Sequence, residues 1–191
     1  MTLILTSPPV VEPLSLAEAK AHLRVDGSDE DTLITSLVTA ARIHIETTTR
    51  VALITQSWTY LLDDWPRQGW LELPLSPLIS VGDIDIFDEN NAPEALDPLA
   101  YEVALGIPPR ILRARGHVWP RPGLLAGGIH IEMTVGHGVL ATDVPEPLRQ
   151  AIRLLVAHWF ENREPVVMND SAADVPQSVA GLLAPYQPVR L

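Results

Sequence analysis

An α+β fold is predicted by a change of hydrophobic period along the chain. Apolar residues recur at spacings of three and four in the first fifty positions and again after Pro145, and they alternate in between. The 18 prolines cluster in the middle and in the tail, cutting the alternating stretch into short strands and fixed turns. The expected architecture is a helical core with an inserted small antiparallel β module and a Pro-rich C-terminal tail. The core is a short N-terminal helix plus two long amphipathic helices, within about 15–50 and 146–163, and the module lies at about 52–140. A length of 191 residues suits one domain, 1–165, followed by an extended partner-docking tail, 166–191.

Each element has a local cause. Pro8-Pro9 opens an extended lead, and Ser15 followed by Glu18 forms a capping box for a short helix over Leu16 to Leu23. Asp26-Gly27-Ser28-Asp29 turns the chain, and a second helix is expected to begin near Ser28 or Asp29, with Glu30 and Asp31 at the positive end of its dipole. Leu33, Ile34, Leu37, Val38, Ala41 and Ile45 then form one apolar stripe.

From Ala52 onward the period becomes two. Trp58, Tyr60 and Leu62, then Val81 to Phe87 before the Asn90-Asn91 turn, then Tyr101 to Leu105 and Ile129 to Val135 read as strands, with a long loop around Gly116 to Gly128. After Pro145, Leu148, Ala151, Ile152, Leu155, Val156, Trp159 and Phe160 return to helical spacing. Beyond Glu164, only Val179, Leu182 and Leu183 form an apolar cluster, too little to fold without a partner to order it.

Composition excludes several functions. A net charge of -11 disfavours a groove that neutralises phosphates along nucleic acid. The absence of cysteine rules out disulfides and thiolate metal sites. No apolar run approaches the roughly 18 residues needed to span a bilayer, and Met1 to Val11 lacks the basic leader and cleavage site of a signal peptide.

Chemical motifs are sparse. No Gly-x-Ser-x-Gly elbow, Walker loop or Gly-x-Gly-x-x-Gly follows a strand, and no catalytic residue, cofactor or metal is expected. A strand puts His130 and Glu132 on one face, and His117 and His137 flank them as a conceivable zinc set, but the plainer reading is surface and loop residues. Asp63-Asp64 beside Trp65, with Glu72, resembles a sugar-cleaving carboxylate pair, and the plainer reading is a solvated turn before Pro66. Trp159 and Phe160 complete the helical stripe and read as core rather than as a partner anchor. Glu161, Arg163 and Glu164 fit either inter-subunit ion pairs or a solvated helix end. Val179, Leu182, Leu183 and Tyr186 are the candidate docking residues for a partner or a neighbouring subunit.

The order and spacing of residues at both ends resemble the head-tail connector (adaptor, or head-completion) proteins of long-tailed bacteriophages and the related adaptor of gene transfer agents. The opening match is Leu16, Glu18, Lys20, Leu23, Arg24, Asp29 and Asp31, the segment Ile34 to Glu46, and Gln56-Ser57-Trp58. The closing match is Gly136-His137-Gly138, Asp143-Val144-Pro145, Leu148 to Ala151, and His158 to Glu164. This resemblance implies a homo-oligomeric ring, dodecameric by analogy, under the portal of a phage or phage-like particle assembled in the bacterial cytoplasm. The ring would hold the portal on one side and the next tail component, a stopper or tail terminator, on the other, and DNA would pass without specific binding. An acidic wall repels the phosphate backbone, so Asp83, Asp85, Asp88 and Glu89, with Glu94 or Asp26 to Asp31, are candidate lumen-facing acids. Two other classes stand beside this expectation. One is a metal- or carboxylate-dependent hydrolase of particle assembly, using His130, Glu132 and His137 or Asp63, Asp64 and Glu72. The other is a monomeric module that binds peptides at a sheet edge.

Overall fold

The computed structural model describes residues 1–162 and 176–187. Two units form, one from Met1–Pro9 with Thr55–Gly136, the other from Val10–Ile54 with the chain from His137 onward.

The second unit is helical. Helix α1 (Leu16–Leu23) begins at the Ser15 capping box, in which the Ser15 hydroxyl accepts from the Glu18 N–H and the Glu18 carboxylate accepts from the Ser15 N–H. It ends at Arg24 in the left-handed region. Helix α2 (Asp31–Thr49) starts later than the turn at Ser28 or Asp29 predicts: Glu30 holds the cap position without a side-chain cap bond, and Asp31 is engaged by Lys20 instead. Its buried residues, Ile34, Val38, Ala41, Arg42, Ile45 and Thr49, recur at three and four. Helix α3 (Glu146–Glu161) follows a 3-10 turn at Ala141–Asp143 and buries Leu148, Ala151, Ile152, Leu155 and Val156. These side chains, with Leu14, Leu53 and Ile54, make the core of the unit, and each fully buried Leu or Ile stabilises it by roughly 1.5–3 kcal/mol.

The tail departs from expectation. Residues Gln177–Leu183 form a fourth helix, α4, followed by a 3-10 turn at Ala184–Tyr186. Val179 and Leu183 are buried in the helical core, and Leu182 and Tyr186 pack against it half-buried. The segment 176–187 is therefore not extended: its spacing of four between Val179 and Leu183 aligns both on one side of a short helix, and the apolar flank of the core supplies the burial that the tail lacks alone. Arg163, Glu164 and Pro165, together with positions 166–175 and 188–191, lie outside the described residues.

The first unit is all β, and it holds two sheets rather than one small module. Strands β1 (Thr2–Ser7), β2 (Gln56–Leu62), β3 (Trp70–Glu72), β4 (Leu78–Phe87), β5 (Pro93–Ala95), β6 (Tyr101–Ala104), β7 (Arg110–Arg113) and β8 (Ile129–Val135) pair antiparallel. The larger sheet runs β1-β2-β8-β4-β5 and the smaller β3-β7-β6. Its first strand comes from the amino-terminal residues, where the sequence predicts only an extended lead: Leu3 faces Tyr60 and Ile4 faces Thr59 across the ladder. With six residues and no charge, β1 has strand propensity but weak alternation, because Ile4 and Leu5 are both largely exposed at the sheet edge.

Register fixes the two faces of the larger sheet. Ile129, Ile131, Met133 and Val135 of β8 lie opposite Leu62, Tyr60, Trp58 and Gln56 of β2 on one side and opposite Ile86, Ile84, Val81 and Leu78 of β4 on the other, giving an apolar face. The opposite face carries Ser57, Thr59, Ser80, Asp85, His130, Glu132 and Thr134. A bulge in β4 between Val81 and Ile84 holds Gly82, where a Cβ would stand 3.1 Å from the Glu132 Cβ, a close approach that glycine accommodates without a shift of Glu132. The smaller sheet buries Leu71 and Ile111 on its inner side. The long loop from Ala114 to Gly128 is tied down by Trp119, whose ring is buried and donates to the Ala100 carbonyl.

Candidate functional site

In the helical unit the polar groups serve cohesion. Arg42, with 8% of its surface exposed, donates from Nε and Nη2 to both oxygens of Glu12 at 2.8 and 3.2 Å and from Nη1 to Glu46 at 2.9 Å. The second Glu46 oxygen accepts the Leu53 N–H at 2.9 Å, and the Thr39 hydroxyl donates to Glu12. Burial alone would favour a neutral guanidine, but the hydrogen bonds and charge of Glu12, seconded by Glu46, outweigh it and hold Arg42 more firmly protonated than usual. Arg42 thereby ties the lead before α1 to α2, and Glu46 ties α2 to the segment after it.

A second knot joins α1 to α3. Arg149 donates to Glu18 at 2.5 Å, to the Pro13 carbonyl at 3.1 Å and to Glu146 at 3.1 Å, and Arg153 also pairs with Glu146. The Glu18 carboxyl is held below its ordinary range by the Ser15 N–H, then by the Ser15 hydroxyl and Arg149. Lys20 meets Asp31 at 2.6 Å and so fastens α1 to α2. The recognisable residues of the opening motif, Glu18, Lys20 and Asp31, thus act as clamps between helices.

The closing motif is also structural. Gly136 takes φ +131, and at Gly138 a Cβ would fall 2.2 Å from the Asp143 Oδ2, the atom that accepts the Leu140 N–H. Trp159 packs edge-on against His44 at 6.0 Å, and with Phe160 it flanks the helical core half-buried.

Neither hydrolase reading gains support among the described residues. Among the described residues no three His, Asp or Glu groups are placed to hold a metal. His130 stacks on Phe87 at 4.4 Å, and His137, partly buried with its pKa lowered by that burial, belongs to the helical unit. Asp63 accepts the Gly127 N–H and lies 3.9 Å from the amino terminus, while Asp64 accepts the Trp65 N–H, so the pair closes turns.

The candidate lumen acids gather on one hairpin. Asp83 and Asp85 lie on β4, and Asp88 and Glu89 begin the turn to β5. Asp88 Oδ1 accepts the Ala92 and Asn90 N–H groups, which hold its carboxyl below its ordinary range. No ion pair involves any of the four among the described residues.

A basic counterpart escapes a reading based on net charge. Every arginine of the sheet unit, Arg67, Arg110, Arg113, Arg115 and Arg121, is exposed and, among the described residues, has no ion pair. Arg110 lies over the Trp70 ring at 5.2 Å, and register puts both on one face of the smaller sheet with Leu112 and the exposed Glu72 and Glu102, so that this face carries both signs of charge. Beside them the β6–β7 turn exposes Leu105 (72%) and Ile107 (87%) and, with Ala104, Arg110 and Leu112, borders a recess of about 260 Å³. The signal in the sequence is the run Arg110, Arg113 and Arg115 in an otherwise acidic segment.

Residues 13–97 match the family described as phage gp6-like head-tail connector protein. No curated protein matches the chain. Among solved structures, a chain from the virion of the native gene transfer agent (GTA) particle superposes with a TM-score of 0.85 at 24% identity, covering 100% of this chain and 97% of the other. A chain from the neck of the empty GTA particle, computed with C6 symmetry, gives 0.84 at 24% identity over the same shares. One from the neck of the native GTA particle, computed with C12 symmetry, gives 0.80 at 25% identity, again with 100% and 97% covered.

Proposed function

We infer that this chain, whose residues 13–97 match the head-tail connector family, is a structural head-tail adaptor of a tailed phage or phage-like particle, located at the junction of head and tail. Similarity to chains of the GTA particle along the whole length is the observation that carries the reading. The internal chemistry agrees with it: the motif residues clamp helices together. The chain is not an enzyme in this reading.

Its task is to form a ring of identical subunits under the portal, joined through two different faces of each subunit and closed by rotation. Twelve copies match the symmetry of one of the similar necks. The carboxylates Asp88 and Glu89 at the hairpin turn face the channel, where like charge keeps DNA from adhering. Leu182 and Tyr186, the half-exposed apolar residues of the tail segment, meet the portal, since Val179 and Leu183 are already buried.

Imaging particles from a strain lacking this gene tests the assignment. Filled heads separated from tails are expected, and intact tailed particles would reject it.

A further inference from the structure

We propose that the β6–β7 turn of one copy of this chain, led by Leu105 and Ile107, seats in an apolar pocket on the helical unit of the next copy. The inference rests on the ring reading above and names one subunit contact within it.

The pocket lies among the lead before α1, the first half of α2 and the segment before α3. Val11, Leu14, Leu16, Val38, Leu140 and Ala141 line about 320 Å³, and Val10 and Val139, next to lining residues in sequence, are largely exposed. Its polar side chains are engaged within the subunit. Glu12 is held by Arg42 and Thr39, Ser15 is committed to its capping box with Glu18, and the Thr35 hydroxyl donates to the Asp31 carbonyl at 2.8 Å. With each of them already bonded, the guest this pocket favours is aliphatic.

The β6–β7 turn supplies such a guest. From Val103 to Pro109 the chain carries no charge, and Leu105 and Ile107 stand out into solvent. The base of the turn is fixed, because the Leu73 N–H donates to the Pro109 carbonyl at 2.9 Å, and Pro108 and Pro109 have their φ angles set by the ring. A loop held in this way loses little freedom on docking.

Three observations make the partner a second copy. Turn and pocket are both open in the single chain, and a closed ring of identical subunits needs two different faces that fit one another. Copies of net charge -11 meet most readily where neither side presents an unmatched charge. That holds for the uncharged turn, behind which Arg110, Glu72 and Glu102 are of both signs, and for a pocket whose one carboxylate, Glu12, is paired with Arg42. The apolar surface involved is on the order of a few hundred Å² on each side, short of the roughly 800 Å² per partner that a stable pair buries. Such a contact is weak between two free copies and holds when every subunit makes it on both sides of a ring.

The chain contains no cysteine, so introduced thiols report this contact alone. I107C with L140C is expressed in the deletion strain, and the particles are treated with a short bismaleimide. A ladder of multimers of this chain extending past the dimer is expected, absent from either single variant. L105C with V139C is made in parallel. The inference is overturned if neither pair gives a ladder, if a single variant links as well as the pair, or if the thiol at position 107 links to a different protein. I107D and L140D are each expected to lower tail attachment about tenfold or more while thermal unfolding is unchanged, and full attachment in both would also overturn it. If the wild-type gene itself restores no tails, the adaptor reading falls and takes the contact with it. If it does and no ladder forms, the contact alone is wrong.

Discussion

The two units treat their positive charges in opposite ways. In the helical unit, four of the six described Lys and Arg side chains, Lys20, Arg42, Arg149 and Arg153, are held in ion pairs, and the two that are not, Arg24 and Arg50, sit at left-handed helix ends. In the sheet unit all five arginines point to solvent without such a partner among the described residues. A buried guanidinium must be matched within the subunit, because an uncompensated charge in a low-dielectric setting costs several kcal/mol. An exposed one is free to find its match elsewhere. Net charge, summed over the chain, hides this division.

The contrast is sharpest at Arg42. Arg42→Met strands two carboxylates and is expected to destabilise the chain by about 3 kcal/mol, read as the shift in urea midpoint, whereas Arg115→Gln stays within about 0.5 kcal/mol. Equal effects from the two would break the comparison. Next in size, Leu183→Ala empties a buried site in the helical core and is expected to cost about 2–3 kcal/mol by the same measurement. A neutral result there would mean that α4 is not part of the core in solution. Smallest is Ser15→Ala, which removes a helix cap worth about 1 kcal/mol.

That substitution also alters the response to acid. Because the folded Glu18 carboxyl titrates below its unfolded value near 4.5, its stabilisation is complete above that value and disappears as pH falls through the lower folded one. Ser15→Ala removes the hydroxyl donor and weakens the effect, so a thermal-unfolding series from pH 6 to pH 3 is expected to fall less steeply for the variant.

Much of this was legible before any coordinates. The Ser15 and Glu18 capping box, the stripe from Ile34 to Ile45 and that from Leu148 to Val156 depend on local spacing, and local spacing is what a sequence displays. Strand β1 was not legible, because its partner lies more than fifty positions away and an edge strand exposed on both faces has no strong alternation. Nor were β3, β5 and β7, each three or four residues long. The helix at Gln177–Leu183 was missed because its burial is supplied by a core made elsewhere. Among the site residues, the acids of the β4–β5 hairpin stood out as a cluster. The arginine surface did not, since its members come together only when Trp70 pairs with Leu112.

The strand order of the larger sheet has a consequence for biosynthesis. Its central strand, Ile129–Val135, is the last of the eight to leave the ribosome, and β2 and β4 hydrogen-bond to it rather than to each other. The sheet cannot close until that strand emerges, and the helical core waits for α3 and α4, later still. Chains terminated before Ile129 therefore lack both cores, and they should be cleared by proteolysis before they can occupy a place among complete subunits.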